Sequence, residues 1–187
     1  MEEKNSSAVL ANQITVGKDL LELLSSGMYL DPLTVFREYV QNACDSIEEA
    51  IEKGALRSND DGQVLLSINP IDRTVVIKDN GTGIKSTSFL KTLLSFGDSG
   101  KRETDARGFR GIGRLAGLAY CQELVFHSKT QEEDTVNVLT WDCRKLKSLL
   151  VDPKIKSGLA DIVSKATKSE KFKATSETDK HFFKVEM

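Results

Sequence analysis

Apolar residues recur every three or four positions between Asp31 and Gly54, a spacing that predicts one long amphipathic helix. Asp31 is expected to cap its N-terminus, Pro32 fits its first turn, and Gly54 ends it. The expected buried stripe of this helix is Leu33, Phe36, Val40, Ala43, Ile47, Ala50 and Ile51. A shorter helix is predicted before it, over residues 14–24.

The rest of the chain alternates between short apolar runs and polar turns. Residues 64–68 and 74–77 flank a turn containing Asn, Pro and Asp, and this arrangement predicts a β-hairpin. Residues 123–127 and 135–141 predict two further strands. Short helices are predicted over residues 88–95, 114–120 and 144–150.

The C-terminal part is less regular. Residues 154–180 are polar and rich in Lys, Ser and Thr, so most of this stretch is predicted to be loop. Residues 181–187 alternate as a strand does. Because a domain rarely ends inside its last strand, we expect either that residues 1–187 form a single domain at the start of a longer protein, or that this strand lies at a sheet edge.

Composition narrows the class of protein. A chain of 187 residues with 39% hydrophobic residues can bury one core, and a net charge of −2 gives no support to a nucleic-acid surface held by overall charge. With no apolar run of membrane length and no signal-like N-terminus, a cytoplasmic protein without membrane contact is expected. Cys44, Cys121 and Cys143 are too scattered for a disulfide framework or a zinc site.

Three segments carry candidate chemistry, and the first lies on the long helix. Glu38, Asn42 and Asp45 are spaced so that they project from one helix face. An amide oxygen suits Mg²⁺, which keeps most of its ligands as water and phosphate, and a carboxylate one turn away can deprotonate a water. A solvated polar stripe would give the same pattern.

The second segment follows the strand at residues 74–77. Asp79 precedes Gly81 and Gly83, whose missing side chains allow the backbone to approach a ligand closely, and Ile84 follows. An Asp at a strand end can accept a hydrogen bond from the exocyclic amine of a base. A plain turn between a strand and a helix is the alternative.

The third segment is glycine-rich and opens a predicted helix. Gly108, Gly111 and Gly113 would present a cluster of backbone N–H groups to a phosphate. The segment is neither a dinucleotide-binding fingerprint nor a P-loop, because no first βαβ strand precedes it and no Gly-Lys-Ser/Thr follows. A flexible loop would also account for it.

Taken in order, the three segments resemble the GHKL ATPase superfamily of DNA gyrase, heat-shock-90-type chaperones, histidine kinases and MutL. The resemblance covers about residues 14–141 and is greatest to the chaperone ATPase domain. It implies an α/β (α+β) two-layer sandwich, in which a mixed sheet carries helices on one face and a lid of about residues 85–113 covers the nucleotide. ATP or ADP and Mg²⁺ are the implied cofactors.

The resemblance also implies roles for individual residues. Glu38 would activate the attacking water, Asn42 would ligate Mg²⁺ and touch phosphate, Asp45 would lie near the sugar and base, and Asp79 would accept from the adenine amine. The other implied nucleotide contacts are Gly81, Gly83, Ile84, Thr92, Gly108, Arg110, Gly111, Ile112, Gly113 and Arg114.

The chain departs from the chaperone pattern at specific positions. Arg114 stands where the chaperones usually carry an aromatic residue, and Asp98 replaces a basic one. The Gly-Thr pair that assists the adenine contact in the family is missing near residues 180–182.

At the level of the whole protein, the resemblance implies an ATP-linked homodimer, slow turnover in the isolated domain and a client protein as a candidate partner. A DNA-associated ATPase of the gyrase, MutL or MORC kind stays open, with nucleic acid bound only through regions outside this chain. A nucleotide-sensing module without turnover stays open as well.

Overall fold

The computed structural model describes residues 31–95, 113–152, 158–175 and 180–187. Its α-helices are α1 (Leu33–Glu52), α2 (Phe89–Leu94), α3 (Cys143–Val151) and α4 (Leu159–Ala166), and its 3₁₀ helices are Asn59–Asp61 and Gly113–Ala119. Its strands are β1 (Val64–Asn69), β2 (Thr74–Asp79), β3 (Glu123–Lys129), β4 (Thr135–Asp142), β5 (Thr167–Lys173) and β6 (Phe182–Glu186). The helix predicted over residues 14–24 lies outside the described residues.

The described strands form one sheet in the order β1-β2-β6-β3-β4-β5. Every pairing in it is antiparallel, where a mixed sheet was predicted. The helices pack against one face of this sheet and share a single core with it, so the predicted two-layer α+β architecture is confirmed. None of the described helices has both the length and the apolar character needed to cross a membrane.

Strand alternation builds the core, because successive side chains point to opposite faces of a sheet. Leu124 and Phe126 of β3 and Leu139 and Trp141 of β4 are fully buried on the inner face. The helices close over them with these buried residues: Val35, Tyr39, Phe89, Leu93, Leu146, Leu150, Ile162 and Val163. The four α-helices and the 3₁₀ helix Gly113–Ala119 therefore pack on the inner face of the sheet.

The N-terminal half of α1 is rotated from the predicted orientation. Leu33 and Val40 were expected to be buried but are 69% and 37% exposed, whereas Val35 and Tyr39 are each 3% exposed. The cause is the 3₁₀ helix Gly113–Ala119, which packs beside this half of α1. As a result, the side of α1 that carries Val35 and Tyr39 is the buried one. The consequence matters for function, since the rotation carries Glu38 to the buried side of the helix.

The C-terminal region is more ordered than its composition predicts. The loop prediction for residues 154–180 is wrong, because this stretch contains α4 and β5. The edge position considered for the last strand is also wrong, since β6 lies between β2 and β3 and pairs with both. Its central position brings the residues that begin it next to Asp79 and the glycine turn that follows.

Candidate functional site

Glu38 lies where α1 meets the start of the 3₁₀ helix Gly113–Ala119. Its side chain is buried, with the residue only 9% exposed. Gly113 packs so tightly on the carboxylate that a Cβ at this position would overlap Glu38 Oε2. Arg37 Nη2 lies 3.7 Å from Glu38 Oε1, but the Arg37 side chain is 74% exposed, so water screens this pair. The carboxylate predicted to act as base thus touches the last glycine of the third segment.

The residue after Glu38 holds this junction together. The Tyr39 hydroxyl donates to the carbonyl oxygen of Arg114 at 3.0 Å and accepts from the backbone N–H of Gly117 at 3.1 Å. Gly117 has no room for a side chain, since a Cβ would press on the Tyr39 hydroxyl and on Leu124. No role was predicted for Tyr39 from the sequence, and its position next to Glu38 was the available signal.

Asp79 lies at the end of β2 with its side chain on the inner face of the sheet. It is 4% exposed, and its Oδ1 accepts from the backbone N–H of Gly81 at 2.9 Å. The Ser46 side chain and the Phe183 backbone N–H also donate to the carboxylate. Phe183 of β6 lies directly opposite Asp79 of β2 in the register of the sheet.

Burial dominates the electrostatics of Asp79. Desolvation of its carboxylate raises the pKa of Asp79 to about 7, against the hydrogen bonds from Gly81, Phe183 and Ser46, which lower it. The oxygens of a carboxylate can each accept more than one hydrogen bond, including one from an amine.

The turn after Asp79 fits tightly between α1 and the sheet. A Cβ at Gly81 would overlap Ser46 of α1, and a Cβ at Gly83 would overlap the carbonyl oxygen of Lys129. Gly83 also has a φ of +66°, a conformation that side chains disfavour. His181, just before β6, places Nδ1 2.7 Å from the carbonyl oxygen of Gly81 and closes the turn from the other side. Ser46 and His181 were not predicted as site residues.

Ile84 and the residues after it are held by polar side chains of β3, β4 and the turn between them. The Ser128 hydroxyl accepts from the Ile84 N–H at 2.7 Å and donates to the Ile84 carbonyl oxygen at 3.3 Å. Asn137 donates to the Ser86 hydroxyl at 2.8 Å, and the Glu133 carboxylate accepts from the Ser86 N–H. These contacts fix the segment that leads from the glycine turn to α2.

The other predicted site residues of α1 and α2 are less buried than Glu38 and Asp79. Asn42 and Asp45 lie on α1 after Glu38, and both are half-buried. Thr92 is a half-buried residue of α2. Within the described ranges there is no group of three His, Cys, Asp or Glu residues that could hold a metal ion. Asn42 still fits Mg²⁺, because this ion is commonly held by one or two protein oxygens together with phosphate and water.

The third segment is only partly described. Gly108, Arg110, Gly111 and Ile112 lie outside the described residues, as does the greater part of the predicted lid. Gly113 is buried against Glu38. The guanidinium Nη2 of Arg114 donates to the carbonyl oxygen of Ser95.

We expect Gly83→Ala to lower the free energy of unfolding by about 1–3 kcal/mol, because the new methyl group meets a backbone oxygen and φ is positive. Urea denaturation measures the loss. Gly158→Ala is the matched control, since a Cβ there has no atom within 4 Å, and we expect it to change stability by about 0.5 kcal/mol or less. Equal losses in the two variants would contradict the contact at Gly83.

The sequence of this chain is similar to one family model and to several known chaperones. The family model of histidine kinase-, DNA gyrase B- and HSP90-like ATPases matches residues 32–175. The chaperone protein HtpG of Vibrio vulnificus is 28% identical over 159 residues, which cover 68% of this chain and 25% of that protein. The same chaperone from Polaromonas is 32% identical over 127 residues, covering 59% and 20%. That of Buchnera aphidicola is 32% identical over 90 residues, covering 46% and 14%. The chain thus spans a quarter or less of the length of these relatives.

Proposed function

Since this chain belongs to the family of histidine kinase-, DNA gyrase B- and HSP90-like ATPases, we propose that it binds ATP together with Mg²⁺ and hydrolyses it slowly. The predicted resemblance to the superfamily, with sequence similarity to HtpG chaperones, is confirmed. Hydrolysis by this chain, its dependence on Mg²⁺ and the roles of individual residues are the parts that we propose.

The observation that carries the proposal is that α1 contacts both of the glycine-containing segments that follow it. Glu38 touches Gly113 at one end, and Ser46 touches Gly81 and Asp79 two turns further on. Eight residues of helix span ~12 Å along the axis. The groups that we propose for the base of the nucleotide and those for its phosphates would therefore be held by one helix, at opposite ends of the proposed site.

At the phosphate end, Glu38 would take a proton from the attacking water as that water adds to the γ-phosphorus of ATP. Its burial beside Gly113 limits the freedom of the carboxylate, which favours a base held in one orientation. Asn42 would hold Mg²⁺, which when bound neutralises charge on the phosphate oxygens. Gly113 would contribute its backbone to the phosphate end.

At the other end, Asp79 would accept a hydrogen bond from the adenine amino group. Gly81 and Gly83 let the turn approach, and Ile84 would pack on the base. With Phe183 opposite Asp79, β6 presents an aromatic side chain at that register position. Asp45 and Thr92 would face the sugar. For the whole protein, we propose that ATP binding is linked to homodimerisation, and the matched chaperones make a client protein a reasonable partner to seek.

We expect the 187-residue chain to bind ATP and ADP in the presence of Mg²⁺, and to release phosphate slowly. Calorimetry measures binding, and phosphate release with enzyme in excess over ATP measures a single turnover. A multiple-turnover rate of ~1 s⁻¹ or above, on the usual enzyme scale, would contradict slow hydrolysis. Binding with no phosphate release beyond the spontaneous rate would favour the nucleotide-sensing module instead.

A further inference from the structure

Arg114 ties together two parts of the backbone that are far apart in sequence. Its Nη2 donates to the carbonyl oxygen of Ser95, the residue that follows α2, while its own backbone begins the 3₁₀ helix Gly113–Ala119. Ser95 is itself buried, with 6% exposure. The contact is therefore internal, and it holds the end of α2 at a fixed distance from the junction with α1.

The environment of this arginine is unusual for a cation. Burial lowers the pKa of Arg114 to about 10, and no carboxylate among the described residues pairs with its guanidinium. Its Nε is buried without a hydrogen-bond partner in the described part of the chain. A buried charge is costly when it lacks a partner, and an apolar side chain would fill the same space without that cost. What the arginine adds, and an apolar side chain could not, is the hydrogen bond to the Ser95 carbonyl oxygen.

The backbone of Arg114 is also held, and from the opposite direction. Its carbonyl oxygen accepts from the Tyr39 hydroxyl at 3.0 Å. The preceding residue, Gly113, rests on Glu38. Two consecutive residues of α1 therefore meet two consecutive residues of the 3₁₀ helix, so that any shift of Arg114 moves Gly113 relative to the Glu38 carboxylate.

We propose that Arg114 is a positioning residue, whose bond to the Ser95 carbonyl holds Gly113 against Glu38 and so fixes the carboxylate for hydrolysis. The inference rests on the proposed function, in which Glu38 is the base. It differs from a direct phosphate contact, because the guanidinium donates to a protein carbonyl and acts on the reaction only through Gly113.

The experiment compares three variants of the 187-residue chain. Arg114→Met keeps an unbranched side chain of similar length without the charge or donors, and Arg114→Lys keeps one charged donor without the planar fork. Arg144→Met, on the exposed surface of α3, is the matched control. Each variant is measured for single-turnover hydrolysis, ADP affinity, thermal unfolding and the ¹³C NMR resonance of the Glu38 side-chain carboxyl carbon, which lies against Gly113 but is remote from Arg114 in sequence.

For Arg114→Met we expect about tenfold or more slower hydrolysis, because small displacements of a reacting group have large effects on rate. ADP affinity should stay within about threefold, and the Glu38 carboxyl resonance should move. Arg114→Lys should recover part of the rate, and Arg144→Met should match the parent chain in every measurement.

Three results would overturn the proposal. An unchanged Glu38 carboxyl resonance in Arg114→Met would show that the arginine does not position Gly113 against this carboxylate, whether or not the chain hydrolyses ATP. A parallel loss of ATP and ADP affinity would identify Arg114 as a phosphate ligand. A lower unfolding temperature with an unchanged rate would leave it a purely structural role. Failure of the proposed function is seen separately, as no hydrolysis by the parent chain.

Discussion

Glu38→Ala is expected to lower single-turnover hydrolysis of ATP by about 10²–10⁴-fold while the chain still binds the nucleotide. The carboxylate is buried against Gly113, at the end of α1 remote from Asp79, so its loss removes the proposed base without touching the groups proposed for adenine. Rapid-quench measurement with enzyme in excess gives the rate of the bound complex, and calorimetry gives the affinity.

Two further variants make this result specific. Glu38→Gln keeps the shape of the side chain and its packing on Gly113, but a neutral amide cannot take a proton from water. It should therefore be about as slow as Glu38→Ala, with a smaller effect on stability. Glu48→Ala, an exposed position on the same helix, should hydrolyse ATP as the parent chain does. A parent-like rate in Glu38→Gln would remove Glu38 from the role of base.

The sequence was sufficient to predict the local elements that carry the chemistry. Apolar periodicity predicts α1, and the structure places it at Leu33–Glu52, with Asp31 Oδ1 accepting from the Leu33 N–H at 2.9 Å near the predicted cap. The hairpin of β1 and β2 has the predicted turn between its strands. These features depend on neighbouring residues, for which pattern and propensity are informative.

Features that depend on distant residues were not predicted. The burial of Glu38 and Tyr39 follows from packing against the 3₁₀ helix some 75 residues later, as the Tyr39–Arg114 bond shows. Ser46 meets Asp79 only because β2 ends beneath α1. Neither contact leaves a periodic trace in the sequence, because each joins two segments through tertiary packing.

The wrong predictions for the C-terminal region have a second physical reason. β5 is an edge strand, paired only with β4 among the described strands, and most of its residues are exposed. Charged residues are common on edge strands, where they discourage pairing with other chains. The Lys and Glu residues of β5 therefore gave this strand the polar composition that is typical of a loop. β6 is central although it comes last in the chain, and strand order is set by long-range pairing.

Asp79→Asn is expected to lower ATP affinity by about 10²-fold or more, so that calorimetry at ordinary concentrations detects no binding. The variant places an amide where a carboxylate oxygen would accept from the adenine amine, and a buried donor facing a donor is strongly unfavourable. Asp60→Asn, at an exposed position, is the control and should bind as the parent chain does. Unchanged affinity in Asp79→Asn would remove Asp79 from the adenine role.

The same substitution should make the free protein more stable above neutral pH. Burial raises the pKa of Asp79 to about 7, above the ~3.9 of an unfolded Asp, so the folded state holds the extra proton between these values. The protonated Asp79 therefore stabilises the folded state relative to the ionised one. This stabilisation is fully present below pH ~4 and is lost as pH rises through about 7, by at most ~1.4 kcal/mol per pH unit.

Urea denaturation from pH 4 to pH 8 tests this directly. Asp79→Asn should lack that part of the slope and exceed the parent chain in stability at pH 8, because its amide carries no charge to desolvate. A variant less stable than the parent at pH 8 would mean that the hydrogen bonds from Gly81, Ser46 and Phe183 outweigh burial. A variant that is more stable but no longer binds ATP would show that the buried carboxylate serves nucleotide binding and lowers the stability of the folded chain.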